Sequence, residues 1–198
     1  MNKPVAESCL QNQQPILDAL RDVFIEAGEV LEVGSGTGQH AVFFSQHLPH
    51  LTWQPSDLQD QHPGMLLWLD EVEHNRIKPP LVLDVDDETW PLQNMDYVFT
   101  ANTTHIISLS QAERMFAHIA SVLKQGGLFA QYGPFNYNGK YTSASNARFD
   151  QWLKQQHPQS CIKHFEQLQD FAADNAMHCI DDIEMPANNR LLVWQKQP

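Results

Sequence analysis

The sequence predicts an α/β fold with seven strands in one mostly parallel sheet, a C-terminal antiparallel hairpin and helices on both faces. Five short apolar segments alternate with segments whose apolar residues recur at helical spacing, a pattern typical of parallel βαβ units. Near the C-terminus, 179–184 and 191–195 have strand composition, and the link 186–189 is short enough for an antiparallel hairpin. The length of 198 residues and the lack of an internal repeat indicate a single domain over 1–198.

The predicted elements begin after an N-terminal arm, residues 1–11. Pro15 suits the first turn of a helix, where its missing N–H has no cost, and Gly28 is placed to end that helix. Further along, Ser110 and Glu113 form an S-x-x-E capping pattern at the start of another helix. Four short strands are predicted in the first half of the chain, over segments 30–33, 51–54, 81–83 and 96–100.

A strand, a glycine turn and a helix start follow one another between residues 30 and 44. Because glycine takes positive φ freely and has no Cβ, the turn Gly34-x-Gly36-x-Gly38 lets a ligand approach the main chain closely. Such a turn at a helix N-terminus suits a nucleotide-like cofactor. Its spacing is one residue shorter than the dinucleotide fingerprint, and the chain lacks the phosphate-binding P-loop pattern. The alternative is a tight turn without a ligand.

Polar residues follow the second and fourth predicted strands, at the edge of the sheet where open α/β folds bind ligands. Asp57 comes 19 residues after Gly38 (57 − 38 = 19), close to the roughly 20 residues that lead to a ribose-binding acid. Its alternative role is a helix N-cap. Asn102 and His105 follow the fourth strand, where both cofactor and substrate would lie. The alternative is a turn asparagine and a histidine at a helix start.

Residues 132–145 form a predicted substrate lid. The segment has four aromatic side chains, two glycines and a proline, and it follows the fifth strand at the ligand end of the sheet. Long loops in compact domains are usually functional or disordered, and the aromatic content disfavours disorder.

Composition limits the partners that the chain can have. Twenty-four acidic against 12 basic residues give a net charge of −12, so the sequence predicts neither a nucleic acid nor a membrane surface as partner. Apolar residues make up 42% of the chain, yet no run approaches the roughly 18 residues of a membrane span. The N-terminal segment lacks the apolar core of a signal peptide, which predicts a cytoplasmic location.

The sequence predicts no metal site. The ten histidines are scattered without an H-x-x-x-H pair. Cys9, Cys161 and Cys179 are odd in number and have no ligand spacing, so free thiols in a reducing compartment are the simplest interpretation.

Glu32 followed by Gly34-x-Gly36-x-Gly38 resembles motif I of the class I S-adenosylmethionine-dependent methyltransferases. The run Leu123-Lys124-Gln125-Gly126-Gly127-Leu128 is similar to the segment before strand five in that family. The resemblance implies a Rossmann-like class I methyltransferase fold and S-adenosylmethionine as cofactor. It implies that the cofactor is bound by Glu32, Gly34, Ser35, Gly36, Thr37, Gly38, Gln39, Asp57 and Asn102. It also implies that Asp84 and Val85, after the third strand, hold the adenine, with a turn-forming acid cluster as the alternative.

Several longer runs narrow the resemblance to an uncharacterised methyltransferase-like family, a domain of unknown function with bacterial and animal members. They are Asn12-Gln13-Gln14-Pro15-Ile16-Leu17, Gly34–His40, Leu51–Asp57, Tyr132-Gly133-Pro134-Phe135 and Thr142–Asn146. The likeness covers nearly the whole chain. It implies that Asn12 also contacts the cofactor.

The sequence therefore predicts a methyltransferase that acts on oxygen or nitrogen of a small molecule. His105 is the predicted general base because its ordinary pKa suits proton transfer at neutral pH, and Tyr132 and Tyr137 are further catalytic candidates. One alternative is a non-catalytic sensor or partner module that binds S-adenosylmethionine or S-adenosylhomocysteine. A remote alternative is an NAD-dependent oxidoreductase. The acceptor, its reacting atom and the oligomeric state stay open.

Overall fold

A computed structural model of the chain describes residues 3–197, which form one seven-stranded sheet. The strands span Gly28–Val33 (β1), Leu51–Asp57 (β2), Leu81–Val82 (β3), Met95–Ala101 (β4), Leu123–Gly133 (β5), Met177–Met185 (β6) and Asn189–Lys196 (β7). Their order is β3-β2-β1-β4-β5-β7-β6, and β7 runs antiparallel to both of its neighbours. The predicted mostly parallel sheet with a C-terminal hairpin is confirmed.

Helices cover both faces of this sheet, as predicted. They span Glu7–Val23 (α1), Gln39–His47 (α2), His62–Leu69 (α3), Leu109–Val122 (α4), Ala144–Gln156 (α5) and Phe165–Asp174 (α6). Apolar residues of α1 and α2 pack with Trp53 and Phe99 on one face, whereas α4 and α6 pack with Phe129 on the other. Burying each large side chain in these two layers stabilises the fold by roughly 1.5–3 kcal/mol.

Alternation along β1 sends successive side chains into opposite layers. Val30 packs in the layer with α1 and α2, and Leu31 and Val33 pack in the layer with α4. Glu32 follows the same alternation and points to the α1 side of the sheet, where its side chain is buried. A strand buried on both faces explains why only one polar residue interrupts an apolar segment.

The N-terminal arm is shorter than predicted. Helix α1 begins at Glu7, so residues 7–11 are helical, and residues 1–2 lie outside the described chain. The segment before α1 is anchored, because Pro4 O accepts a hydrogen bond from Trp68 Nε1 at 2.7 Å. Ala6 N donates to Gln39 Oε1 at 2.6 Å. The local sequence pattern does not predict these hydrogen bonds, because each joins residues more than 30 positions apart in the chain.

Two other local predictions were wrong. The capping box of α4 is formed by Ser108 and Gln111, two residues before the predicted Ser110 and Glu113. The hydroxyl of Ser108 accepts from Gln111 N at 3.1 Å, which satisfies a helix N-terminal donor. Residues 83–94, between β3 and β4, form turns and irregular backbone, so helices and strands do not alternate there.

The segment 132–145 is only partly an exposed loop. Its first two residues belong to β5, and Phe135 lies in the core with 1% of its surface exposed. Asn136 is bound through its backbone, accepting from Phe165 N at 2.8 Å and donating to Lys163 O at 3.0 Å. Residues 138–142 form the exposed part before α5. The part of the predicted lid that the structure leaves exposed before α5 is therefore 138–142, and the lid function stays a prediction.

Candidate functional site

The glycine turn is built at the carboxyl end of β1, as the sequence predicts. The N–H groups of Gly34 and Ser35 both donate to Ser56 O in β2, at 3.1 and 2.9 Å. Gly34, Gly36 and Gly38 have φ values of +73°, +54° and +83°. These left-handed conformations explain the glycines, because other residues adopt them at a cost.

The three glycines differ in what surrounds them. A Cβ on Gly34 would collide with Thr103 Oγ1, and one on Gly38 would lie 2.7 Å from Met65 Cγ. A Cβ on Gly36 would meet no protein atom within 4 Å. Packing therefore accounts for Gly34 and Gly38, whereas at Gly36 the main chain borders open space. This is the position where a ligand can approach the backbone.

Asp57 lies beside that open backbone. Its Oδ2 accepts a hydrogen bond from Gly36 N at 2.7 Å, and its Oδ1 accepts from Leu58 N at 2.7 Å. The alternative role as the N-cap of α3 is excluded, because the cap residue of that helix is Gln61. A carboxylate held next to the glycine turn can accept hydrogen bonds from the hydroxyls of a ribose.

The other polar residues of the turn are hydrogen-bonded within the protein. Thr37 Oγ1 donates to Gln39 Oε1 at 2.9 Å, and Ser35 Oγ accepts from Ser56 N at 3.1 Å. The Nε2 atom of Gln39 is buried and has no hydrogen-bond partner within residues 3–197. Because a buried donor of this kind has a desolvation cost of about 1–3 kcal/mol, it favours an acceptor atom on a ligand. The open Gly36, the Asp57 carboxylate and this donor fit the predicted nucleoside cofactor.

Glu32 is more deeply buried than the other predicted cofactor residues. Only 1% of its surface is exposed, and Oε2 accepts from Trp53 Nε1 at 2.6 Å. Burial raises its pKa to about 8, the hydrogen bond from Trp53 opposes the rise, and the charge of Asp57 adds to it. The Glu32 carboxyl is therefore mostly protonated at neutral pH and hydrogen-bonded within the protein.

Asp84 and Val85 lie in the turn after β3, and their predicted contact with adenine stays a prediction. Asp84 Oδ1 accepts from Asp86 N at 2.9 Å, and Asp84 O accepts from Trp90 Nε1 at 2.9 Å. Val85 packs against the core cluster on the α4 side of the sheet. These contacts give both residues a structural role in the turn after β3.

A cavity of about 820 Å³ lies beyond the carboxyl ends of β4 and β5. It brings together four residues predicted separately, namely Asn12, Asn102, His105 and Tyr132. The cavity adjoins the glycine turn. Gly34 lies against Thr103, and Asn102, the residue immediately before Thr103, lines the cavity. Asn102 has a left-handed φ of +65°, and its N–H donates to Tyr132 O at 2.9 Å.

His105 lies in the wall of this cavity with 7% of its surface exposed. Its ring meets Phe149 edge-on, with ring centroids 5.1 Å apart. Burial lowers its pKa to about 4, and the positive charge of Lys163 acts in the same direction. The expectation of an ordinary pKa is therefore wrong, because the ring is buried beside Phe149 of α5 and lies within the field of a positive charge. His105 is neutral at physiological pH and can accept a hydrogen bond, but it is a weak base.

Asn12 is held in the cavity wall by a residue of α2. Oδ1 of Asn12 lies 2.7 Å from Nε2 of His40, and both side chains are buried. Burial lowers the pKa of His40 to about 4, so this imidazole is neutral too. Burial raises the pKa of Tyr132, and hydrogen bonds with the Asn12 and Asn189 side chains oppose the rise. Asn12, His40 and Tyr132 thus link α1, α2 and β5 beside the cavity.

Tyr137 lies elsewhere. It lines a second, polar cavity of about 530 Å³ that shares Asn188 and Asn189 with the large one, and its hydroxyl donates to Asp182 Oδ2 at 2.9 Å. Asp182 in turn accepts from Arg190 Nε at 2.7 Å. Burial raises the pKa of Tyr137, and the negative charge of Asp182 adds to this. The structure therefore does not bring Tyr137 together with His105 and Tyr132 in the large cavity.

Sequence reasoning missed several residues of the cavity. Phe149 and Trp152 follow a helical pattern that predicts the inner face of α5, but both line the cavity and only Leu153 is fully buried. His40 and Asn189 carry no local signal, because their roles depend on contacts between distant elements. These cavity residues can be identified only when the position of α5 above the carboxyl ends of the strands is known.

Residues 3–197 contain no group of three or more histidine, cysteine or acidic side chains arranged to hold a metal ion. None of the helices within these residues has the length and apolar character needed to cross a bilayer.

Solved structures of methyltransferases share this fold. An O-methyltransferase family protein from Burkholderia thailandensis is 18% identical, with a TM-score of 0.82, 96% of this chain and 58% of that chain covered. An O-methyltransferase family 2 protein from Planctomyces limnophilus, solved in complex with apigenin, is 16% identical with the same TM-score and coverage. Human N-acetylserotonin methyltransferase in complex with SAM is 13% identical, with a TM-score of 0.81 and coverage of 97% and 53%.

These likenesses confirm the predicted class I methyltransferase fold. The chain spans little more than half the length of these solved proteins, and the identities are low, so the likeness is one of fold. A family model described as "Protein of unknown function (DUF938)" matches residues 3–196. The predicted membership in an uncharacterised family is thereby confirmed, and the chain belongs to the DUF938 family.

Proposed function

We propose that the protein is an S-adenosylmethionine-dependent methyltransferase that acts on a small-molecule acceptor. The observation that carries this proposal is the carboxylate of Asp57, hydrogen-bonded to Gly36 N beside the one glycine of the turn whose main chain borders open space. The adjoining cavity of about 820 Å³ supports an enzyme over a module that only binds the cofactor, since it offers room for an acceptor.

When bound, the cofactor supplies a sulfonium methyl group. Asp57 and the main chain at Gly36 would hold the cofactor, and a lone pair of the acceptor would take up the methyl group, with the bonding pair staying on sulfur and the acceptor's proton released. Such a displacement depends above all on alignment of the two molecules. In this chain the packing of Gly34 against Thr103, together with the hydrogen bond from Asn102 N to Tyr132 O, would hold the acceptor site in position relative to the glycine turn.

A neutral His105 has a positioning role in this scheme. Its imidazole can accept a hydrogen bond from an acceptor hydroxyl or amine, which orients a lone pair of the reacting atom. Because burial lowers the pKa of His105 to about 4, the proton goes to water rather than being held on His105 at neutral pH. Tyr132, in the same wall, is the second candidate for orienting the acceptor.

Replacing Asp57 with alanine tests the cofactor site. We expect affinity for S-adenosylmethionine and S-adenosylhomocysteine, measured by calorimetric titration, to fall about 30-fold, the equivalent of one ribose hydrogen bond to a charged acceptor. Asp60→Ala is the matched control, because Asp60 is exposed and its carboxylate contacts only the adjacent Gln61 side chain. Equal affinities of the two variants would contradict the assignment of Asp57, and no binding by the unaltered protein would contradict the proposed function.

Replacing His105 with alanine tests the acceptor site. We expect S-adenosylhomocysteine affinity to change little and turnover with an acceptor from a metabolite screen to fall about 100-fold, because the acceptor atom is no longer held in line with the methyl group. The wild-type rate should vary little with pH between about 6 and 8 through this residue, because its pKa is about 4. His105→Asn should recover part of the rate, because its amide also accepts a hydrogen bond. An unchanged rate in His105→Ala would remove His105 from the reaction.

We also propose that the protein is cytoplasmic. Its proposed partners are small molecules, and neither nucleic acids nor membranes are among them. The three cysteines are unpaired, as expected in a reducing compartment. The net charge of −12 opposes association with nucleic acids and with anionic membrane surfaces.

A further inference from the structure

The lining of the large cavity contains no lysine, arginine, aspartate or glutamate. The chain has 24 acidic and 12 basic residues, yet none of the residues around this cavity is aspartate, glutamate, lysine or arginine. The lining consists of amide, hydroxyl, imidazole, aromatic and aliphatic groups. His105 adds no charge, since burial keeps its imidazole neutral at physiological pH. By contrast, the smaller cavity beside Tyr137 includes Asp182, Glu184 and Arg190.

This lining disfavours a charged acceptor. A carboxylate or phosphate that enters the cavity loses part of its hydration and meets no lysine or arginine in return. An uncompensated buried charge is destabilised by several kcal/mol, whereas a neutral hydroxyl can be satisfied by a single hydrogen bond. The negative net charge of the protein further opposes the approach of an anion.

A pair of aromatic rings on α5 forms a flat wall of the cavity. Phe149 and Trp152 are stacked, with ring centroids 5.8 Å apart and an interplanar angle of 15°. Trp152 is 52% exposed and Ile106, also in the lining, is 59% exposed. Large apolar side chains exposed around a cavity favour an apolar ligand, and stacked rings favour a planar one.

Polar side chains line the cavity on several elements, and two of the buried ones lie next to the strand ends near the glycine turn. His105 and Tyr132 are almost fully buried, and both lie near the carboxyl ends of β4 and β5. Asn102 adjoins them, and it is the lining residue next to Thr103 and the glycine turn. A ligand with one polar atom would therefore direct that atom toward the glycine turn and its apolar body toward Trp152.

We propose that the acceptor is an uncharged, planar aromatic molecule whose hydroxyl or amine lies against His105 and Tyr132 and whose ring lies against Phe149 and Trp152. The cavity selects against analogues of the same molecule that carry a carboxylate or a phosphate. This inference rests on the proposed function, since it names the substrate class of the same site.

Binding of three related probes tests the inference without requiring turnover. The probes are naphthol, a hydroxynaphthoate with its carboxylate on the second ring, and the hydroxynaphthamide of the same shape. Titration calorimetry on the protein without added cofactor should show naphthol and the naphthamide binding at least about tenfold more tightly than the naphthoate. Equal or tighter binding of the naphthoate would overturn the proposal, and so would failure of naphthol to bind at about millimolar concentration.

A charge introduced at the rim tests the cause of the selectivity. Gln156, the last residue of α5, is exposed and lines the cavity. Gln156→Arg should tighten binding of the naphthoate about tenfold and change binding of naphthol by less than about twofold. The matched control is Gln125→Arg, which adds the same charge at an exposed site outside this cavity and should change neither affinity. If the two variants behave alike, the absence of charge in the cavity is not the basis of selectivity.

The cofactor titration separates this inference from the proposed function. Binding of S-adenosylmethionine with preference for the naphthoate would leave a methyltransferase with a different acceptor class. Selective binding of naphthol without any binding of S-adenosylmethionine would support the aromatic site and contradict the proposed reaction.

Discussion

A Gly36→Ala variant is expected to fold normally and to bind S-adenosylmethionine at least about 100-fold more weakly than the unaltered protein. The added Cβ meets no protein atom within 4 Å, so it occupies the space that a ligand against this part of the turn would need. Alanine at a φ of +54° is strained by about 1–2 kcal/mol, which the fold can absorb. The loss should therefore appear in calorimetric affinity and only weakly in the free energy of unfolding.

Gly139→Ala is the matched control for this variant. Gly139 has a φ of +71° and an equally open Cβ position, but it lies in the exposed loop before α5. The two variants should lose similar stability in urea titrations, and only Gly36→Ala should lose cofactor affinity. Equal cofactor affinities would place the ligand away from the Gly36 backbone and would contradict the proposed site.

The parts of the site that sequence could predict are those set by a few adjacent residues. Gly34, Gly36 and Gly38 follow directly from the backbone conformation of a strand-to-helix turn, which only glycine adopts without strain. The position of Asp57 could be predicted because the chain between Gly38 and Asp57 has the length of one helix and one strand, α2 and β2, which return it to the side of that turn. In both cases the geometry depends on local covalent structure, so spacing along the chain is informative.

The remaining residues depend on contacts that spacing does not encode. Tyr137 follows β5 like Tyr132, but its hydroxyl is bound by Asp182, 45 positions later in the chain. The pKa of His105 is set by burial under Phe149 and by Lys163, which come from segments after β5. Asp84 has the right position for an adenine contact, yet its own turn uses the carboxylate.

Glu32→Gln is expected to abolish a large pH dependence of stability. The pKa of Glu32 is about 8 in the folded protein and 4.5 ordinarily, so the folded state holds a proton that the unfolded state releases. Its stabilising contribution is complete below pH 4.5 and is lost as the pH rises toward 8, by about 3–5 kcal/mol in total. Glutamine can still accept the hydrogen bond from Trp53 Nε1, but it has no proton to lose.

The measurement is the free energy of unfolding in urea between pH 5 and 9. The unaltered protein should lose stability through this range relative to Glu32→Gln, and the difference should level off above about pH 8. Glu29→Gln is the control, because Glu29 lies on the same strand but is about half exposed and paired with Lys78 at 2.7 Å. Parallel pH profiles for all three proteins would show that Glu32 is ionised in the fold.

The same variant decides what the acid before the glycine turn does. A protonated Glu32 cannot act as a counter-ion for the amine of a cofactor, and its nearest partner, Trp53, belongs to the neighbouring strand. If Glu32→Gln keeps its cofactor affinity, the acid stabilises the pairing of β1 with β2 beneath the turn. If affinity falls while stability rises, Glu32 must ionise when the cofactor binds, and cofactor binding should then release a proton near neutral pH.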